Sequence, residues 1–498
     1  MSKPIQILEI NNIDIYGRRF NGYSITEYID SHPNTGLTAN FIVNHKLGTD
    51  PKIAKLFPST DFDTFDWQIE EKEQRLGIKN QISISENALQ SHPLYQSADI
   101  LHFHMYHNSH FPVEFLTRIP PEKKIVIDIH DTFWLTDNKI PMLEVFSHAD
   151  GDNKKSLDAQ RKRVLNSIDA QFVAHSPFIM NLIKQSSATN KLNVKLINFG
   201  IDTKIFKPLN NPSSLRKKYH IPKDHLVLMC RSQKEFKGID YIAAAIPKLK
   251  LSQPITLITV GVNGLLDSIK SSCNLIEFGT VGNEQQMTEL YNLCDIFLAP
   301  STEESFGFMA VEAMSCAKPV IVFKGTALPD TVHAPTIGIA TNRSATALSE
   351  AITSLANKPK ERLTRGNKAR EFVLKNYTEK QYFENYVKLF QSVAKTKLRH
   401  IIQAPPSTTP KNLHDLPKYF DMGVEKNMHF DYNNVEVQKA IQKYNTKLYQ
   451  NLQKKSRQPS AKKFIKKIIP SRVKTKLRSL KERLKWLPQK TPTQKYPS

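Results

Sequence analysis

Cysteine is scarce in this 498-residue chain: Cys230, Cys273, Cys294 and Cys316 are the four, and no two form a metal-type CxxC pair. That usage predicts reduced thiols in a cytosol rather than a disulfide scaffold. Long apolar runs are missing too, and nothing approaches the ~18–20 consecutive apolar residues of a membrane-spanning helix. Met1-Ser2-Lys3-Pro4 leads straight into a strand-like Ile5–Ile10, which predicts no secretory signal. No repeat of 20–50 residues recurs, so solenoids and propellers are set aside. Acid is short: 47 Asp and Glu stand against 70 Lys and Arg, a net charge of +23. The excess is concentrated, since residues 401–498 hold 22 Lys/Arg and 6 Asp/Glu. The first 400 residues are only mildly basic. Charge alone suggests nucleic acid, but no recognition helix or aromatic-stacking module accompanies it, and no nucleic-acid partner is expected.

What is present is alternation. Apolar, β-rich runs occur at Ile5–Ile10, Ile100–His104, Lys124–Asp128, Gln171–Ala174, Leu226–Cys230, Ile255–Val260, Ile296–Ala299 and Pro319–Phe323. Helical periodicity lies between many of them, as in Ile239–Leu249, Glu284–Asn292 and Phe308–Ser315, and again over 361–396. Strands alternating with helices predict an α/β chain with parallel sheets covered on both faces. Four hundred residues exceed one such sheet, so two are expected, with the break near Asn198–Pro208. The division becomes 1–200, 201–400 and, beyond a Pro-rich linker at Ala404–Pro410, a tail within 401–498.

Ligands of open parallel sheets bind beyond the carboxyl ends of the strands. After Ile296–Ala299 the sequence reads Pro300-Ser-Thr-Glu-Glu-Ser-Phe-Gly-Phe-Met-Ala-Val-Glu312. Gly307 permits close backbone approach, and a helix starting there offers free N–H groups to an anion such as a diphosphate. Glu304 and Glu312 would repel phosphate; as two-oxygen acceptors they suit vicinal hydroxyls of a ribose or hexose. A capping acid and a solvated helix face are the alternatives. The segment, from Ser-x-x-Glu-Ser-Phe-Gly through Glu-Ala-Met to Pro-Val-Ile, resembles the Glu-x7-Glu motif of retaining glycosyltransferases of family 4, which have the GT-B fold. The resemblance implies two Rossmann-like domains facing across a cleft, with Glu312 on the nucleotide ribose and Glu304 near the reacting carbon.

Arg231 to Gly238 resembles the same family's Arg…Lys-Gly phosphate clamp, which gives Arg231 and Lys237 to the diphosphate and leaves Lys234 in solvent. Phe306, Gly307 and Phe308 complete the expected donor site. Tyr16-Gly17-Arg18-Arg19-Phe20-Asn21-Gly22 is neither GxGxxG nor Walker. It resembles the family's glycine loop, with Gly17 toward the phosphates and Arg18 in place of a second glycine. His130, after Lys124–Asp128, resembles the family's strand-end histidine, a neutral imidazole over the donor sugar.

Two patterns are weighed against metal. His102, His104, His107 and His110 alternate along a strand, but no acid or cysteine sits beside them at ligand spacing, so packing in core and acceptor cleft is expected. Asp61-Phe62-Asp63 carries a metal-binding signature in a turn-like context and reads as surface loop. The resemblance thus implies retaining, metal-independent hexosyl transfer without cofactor, from a UDP- or GDP-sugar to a carbohydrate or lipid-linked glycan in bacterial surface polysaccharide synthesis. A catalytically inactive nucleotide-sugar-binding or assembly partner is the alternative. In residues 461–487, eleven cations face the single acid Glu482, and Phe464, Ile465, Ile468, Ile469, Val473, Leu477, Leu480, Leu484 and Leu487 recur at helical spacing. Pro470 splits the stretch, and Trp486 suits a headgroup region. The pattern predicts two short amphipathic helices docking on an anionic membrane, which would hold a cytoplasmic enzyme at the inner face. A solvated tail or a helix against a protein partner is the alternative.

Overall fold

In the computed structural model the described residues are 3–14, 18–56, 85–106, 111–135, 152–210 and 212–396. Gly17, Asp61, Asp63, His107, His110 and the whole tail from 397 onward lie outside them.

The first sheet has seven parallel strands: β1 (Ile5–Ile13), β2 (Leu37–His45), β3 (Ile53–Lys55), β4 (Ile100–Phe103), β5 (Lys124–Ile129), β6 (Ala170–Ala174) and β7 (Val194–Leu196). Their order is β3-β2-β1-β4-β5-β6-β7. The second sheet has six: β8 (Leu226–Ser232), β9 (Ile255–Gly261), β10 (Asn274–Glu277), β11 (Ile296–Ala299), β12 (Val320–Phe323) and β13 (Ile339–Thr341), ordered β10-β9-β8-β11-β12-β13. Two doubly wound α/β domains therefore share one chain. Strands β6 and β12 are buried throughout, and β5 and β9 at all but one terminal residue, because helices cover both faces. In each sheet the winding reverses direction once, between β1 and β4 and between β8 and β11. Crevices open at such points, beyond the strands' carboxyl ends.

Four helices position the sites: α1 (Tyr23–Ser31), α2 (Glu284–Leu293), α3 (Phe308–Ser315) and α4 (Glu379–Lys395). The closing helical stretch at 361–396 falls in two helices, Pro359–Asn376 and α4. The break falls at Tyr377-Thr378, where Thr378 caps α4 in a capping box with Gln381. Likewise the expected helix Ile239–Leu249 ends at Ala245 and tightens to a 3₁₀ turn over Ile246–Lys248, where Pro247 cannot donate into an α-helical ladder. On α4, Tyr382, Phe383, Tyr386, Leu389, Phe390 and Val393 are buried at helical spacing. This face packs on the first domain: Phe383 stacks on Tyr28 of α1 at 4.7 Å, and Gln391 donates to Thr35 O at 2.8 Å. Thus the chain passes into the second domain near Ile201 and comes back through α4.

Candidate active site

The loops after β8 and β11 lie side by side because those strands are paired, with Cys230 opposite Leu298. Thr302 N donates to Phe236 O at 2.8 Å, tying the loops together. Gly238, at φ +68°, presses so closely on Pro300 that a Cβ there would sit 1.9 Å from its carbonyl oxygen. Lys237, one residue earlier, is thereby aimed at the second loop, and its Nζ meets Glu304 Oε2 at 2.6 Å. Arg231 is exposed at the end of β8, and Lys234 is exposed as well. Gly307, at φ +98°, caps α3 without any side-chain acceptor, so the first N–H groups of that helix are left for another partner. Phe306 and Phe308 flank it and touch each other edge-on, ring centroids 5.2 Å apart.

Glu312 lies one turn into α3, and its side chain is only 8% exposed. Tyr291 of α2, fully buried, donates its hydroxyl to Glu312 Oε2 at 2.7 Å. Burial, and then the Glu312 charge, hold that phenol far above its ordinary pKa, so it remains a donor. The other Glu312 oxygen accepts from Arg19, whose second guanidinium nitrogen reaches Glu284. Arg19 belongs to the loop after β1, so this ion pair spans the two domains. Phe20, its neighbour, touches Phe199, Phe308 and His130 at centroid distances of 6.1, 5.8 and 5.8 Å.

His130 sits at the end of β5, stacked nearly parallel on Phe199 and against His175, centroids 5.6 and 4.8 Å away. Its side chain is 8% exposed. Burial first, and then the neighbouring His175, push its pKa well below the usual imidazole value, so His130 is neutral. Beneath it lies a buried polar layer: Glu9 on β1, His102 on β4, His104 just after it, Asp128 on β5 and His175 after β6. Strand register brings Glu9 opposite His102. His104 Nε2 lies 2.7 Å from Glu9 Oε2, His102 Nε2 lies 2.9 Å from Asp128 Oδ1, and Tyr386 of α4 donates to that same oxygen at 2.8 Å. Burial opposes a charge on His102, but Asp128 and Glu9 together outweigh it and push its pKa up to about 10. Burial likewise works against an ionised Asp128, and His102, His175 and His104 overcome it, leaving the carboxyl well below the usual range.

Known proteins resemble the second-domain half of this arrangement. Residues 213–372 match glycosyl transferases group 1. The group 1 segment contains Arg231, Lys237, Glu304 and Glu312. Over 210 residues the chain is 26% identical to a GDP-mannose-dependent alpha-(1-6)-phosphatidylinositol dimannoside mannosyltransferase of Mycobacterium tuberculosis, covering 41% of this chain and 54% of that protein. Over 207 residues it is 30% identical to the N,N'-diacetylbacillosaminyl-diphospho-undecaprenol alpha-1,3-N-acetylgalactosaminyltransferase of Campylobacter jejuni, covering 39% and 53%. The chain thus spans about half the length of these curated relatives. The fold extends further: sucrose-phosphate synthase from Thermosynechococcus elongatus superposes with a TM-score of 0.58 at 16% identity, over 78% of this chain and 99% of that one. The two-domain architecture is that of GT-B glycosyltransferases.

Of the residues singled out in the sequence, the structure joins Lys237 to Glu304, sets Phe306, Gly307 and Phe308 beside them, and packs His130 within the same aromatic cluster through Phe20 and Phe199. Arg231 stands apart from these contacts. Sequence spacing did not single out Arg19, the first-domain group that reaches the group 1 segment. It also gave the histidines no acidic partner, because Glu9 and Asp128 come from other strands. Glu9 carried a signal: a lone carboxylate inside the apolar run Ile5–Ile10 of a parallel core strand has to be paired.

Proposed function

We propose that this protein is a retaining glycosyltransferase that moves a hexose-type sugar from a UDP- or GDP-sugar to a carbohydrate or lipid-linked glycan acceptor. One observation carries the reading: Lys237 and Glu304 converge at the carboxyl ends of β8 and β11, beside an uncapped helix N-terminus and the buried carboxylate of Glu312. Cationic and N–H groups there suit a diphosphate, and the two carboxylates suit sugar hydroxyls. The GDP-mannose dependence of the Mycobacterium tuberculosis relative, and the lipid-linked substrates of that enzyme and of the Campylobacter jejuni relative, are compatible with it. In the reaction, the acceptor oxygen bonds to the anomeric carbon as the bond to the diphosphate oxygen breaks. The acceptor proton passes to a phosphate oxygen on the same face, which retains configuration. Arg231, Lys237 and the start of α3 stabilise the departing charge; Glu304 and neutral His130 hold the sugar. The diphosphate charge is met by the protein, so no metal is assigned to the donor. Glu312→Ala is expected to weaken nucleotide-sugar binding and Glu304→Ala to lower turnover more than affinity; near-normal transfer by both variants would refute the site.

Surface polysaccharide synthesis is the proposed setting. The 461–487 tail, read from sequence alone, is proposed to hold the enzyme on an anionic inner leaflet.

A further inference from the structure

The polar layer beneath His130 is more than the proposed transfer reaction requires. Asp128 Oδ2 has His104 Nδ1 at 2.9 Å, His175 Nε2 at 3.4 Å and His130 Nε2 at 3.7 Å. All four atoms are buried, and none makes a hydrogen bond among the described residues. Their other ends explain why. His104 Nε2 is turned to Glu9 Oε2, and His175 Nδ1 lies 2.9 Å from Ile197 O, a carbonyl that can only accept. Each ring thus has one nitrogen engaged on the far side and turns the other toward Asp128 Oδ2. The remaining oxygen, Asp128 Oδ1, is already taken by Tyr386 and His102. Four polar atoms thus converge on one point in a dry interior without hydrogen bonds, a setting in which a bound cation would give them a partner.

We propose that His104, Asp128 and His130 form a binding site for a divalent first-row transition ion of the Zn²⁺ type. One ligand atom from each of the three lies within 4.8 Å of the others. The donor set of imidazoles and one carboxylate suits such an ion, and an outer hydrogen bond from a ligating histidine to a carboxylate is what these sites employ. A second grouping, Glu9 with His102 and His104, is geometrically close as well. That grouping has unpaired atoms too, Glu9 Oε1 and His102 Nδ1, but His104 Nε2 is hydrogen-bonded to Glu9 there, and it is on Asp128 Oδ2 that three ring nitrogens converge. The ion would sit under the cleft in the first domain, apart from the group 1 segment. It would pin the His130 ring from below and leave Nδ1 as that ring's hydrogen-bonding atom.

The test uses the full chain and Zn²⁺ itself. After exposure to Zn²⁺ and exhaustive dialysis, metal analysis is expected to find one zinc per chain, and Co²⁺ in its place should give the intense visible absorption of a four-coordinate ion. His130→Gln, altering the one ligand that reaches the cleft, should abolish stoichiometric binding. Glu9→Gln, which leaves the three ligands in place and alters the outer partner of His104 and His102, should weaken affinity by ~10–100-fold. Wild-type protein that retains no zinc and shows no change in melting temperature with Zn²⁺ would overturn the proposal and leave two imidazolium protons to balance the buried acids. Undiminished zinc in His130→Gln would overturn it equally. Neither result bears on nucleotide binding, which is measured separately at the second domain.

Discussion

Replacing Tyr291 with Phe removes a single oxygen and keeps the ring packed on Phe206 and Phe297, whose centroids lie 6.1 and 5.6 Å away. The loss is one hydrogen bond, to a carboxylate that is nearly excluded from water. Hydrogen bonds to charged groups contribute ~1.5–3 kcal/mol, and a buried acceptor left short of a donor adds to the loss. With a urea dependence of roughly 2 kcal/mol per molar, the unfolding midpoint of the second domain should fall by about 1 M. Glu312 would also lose the anchor that fixes its rotamer, so UDP or GDP affinity should weaken by ~3–10-fold, equivalent to ~0.7–1.4 kcal/mol. Calorimetric titration with each nucleotide, beside urea unfolding, reads both quantities. The decisive control is a double-mutant cycle with Glu312→Gln. In that background the acceptor is uncharged, and Tyr291→Phe should cost less by at least ~1 kcal/mol. A midpoint unchanged by Tyr291→Phe, or a cycle with no coupling, would refute the view that this phenol holds a charged Glu312 in place for a ribose.

Other outcomes follow from the same geometry. Arg231→Ala and Lys237→Ala should each lower transfer tenfold or more, as each removes ~2–4 kcal/mol of charge stabilisation; Lys234→Ala is the control, and equal sensitivity there would move the clamp. Gly238→Ala should lower both the melting temperature and transfer, since a Cβ 1.9 Å from Pro300 O at φ +68° forces the Lys237 loop to shift; a wild-type melting curve would contradict the close approach. UDP and GDP binding should be insensitive to EDTA, and loss restored by Mg²⁺ or Mn²⁺ would return attention to Asp61 and Asp63. Full-length chain should sediment with anionic vesicles more than with neutral ones, and a 1–400 truncation should not; equal recovery throughout would exclude membrane docking by the tail.

The proposed donor side was legible as a cluster because its residues are local. Glu304, Gly307 and Glu312 fall within nine consecutive residues, on a strand-to-helix turn whose orientation is fixed by alternation alone. Lys237 could be placed for the same reason, at the end of a strand. The first domain was not readable in that way. Its polar layer is assembled from Glu9, His102, Asp128, His175 and Tyr386, separated by up to 377 positions and joined by strand register and by a helix that returns from the second domain. Periodicity says which face of a strand is buried, but not which buried charges meet. Arg19 was missed for a related reason: its partners Glu284 and Glu312 are in the other domain, and an Arg in a loop is ordinarily solvated. β2 escaped because Thr38 and Asn40 interrupt its apolar run, and the short strands β3, β7, β10 and β13 were missed as well.

The return of α4 has a consequence for recombining this scaffold. Exchange of donor specificity between relatives is easily imagined as a cut near Ile201, one half kept and the other replaced. Here such a cut would strip the first half of the helix that covers it, because Tyr386, Phe383 and Gln391 are carried by the second half of the chain and spend their contacts on the first. A functional graft would have to exchange an internal insert, from about Ile201 to Thr378, where the two crossings already sit side by side as a parallel bridge. The exchangeable unit is therefore a cassette inside the first domain, and its two seams are adjacent in space.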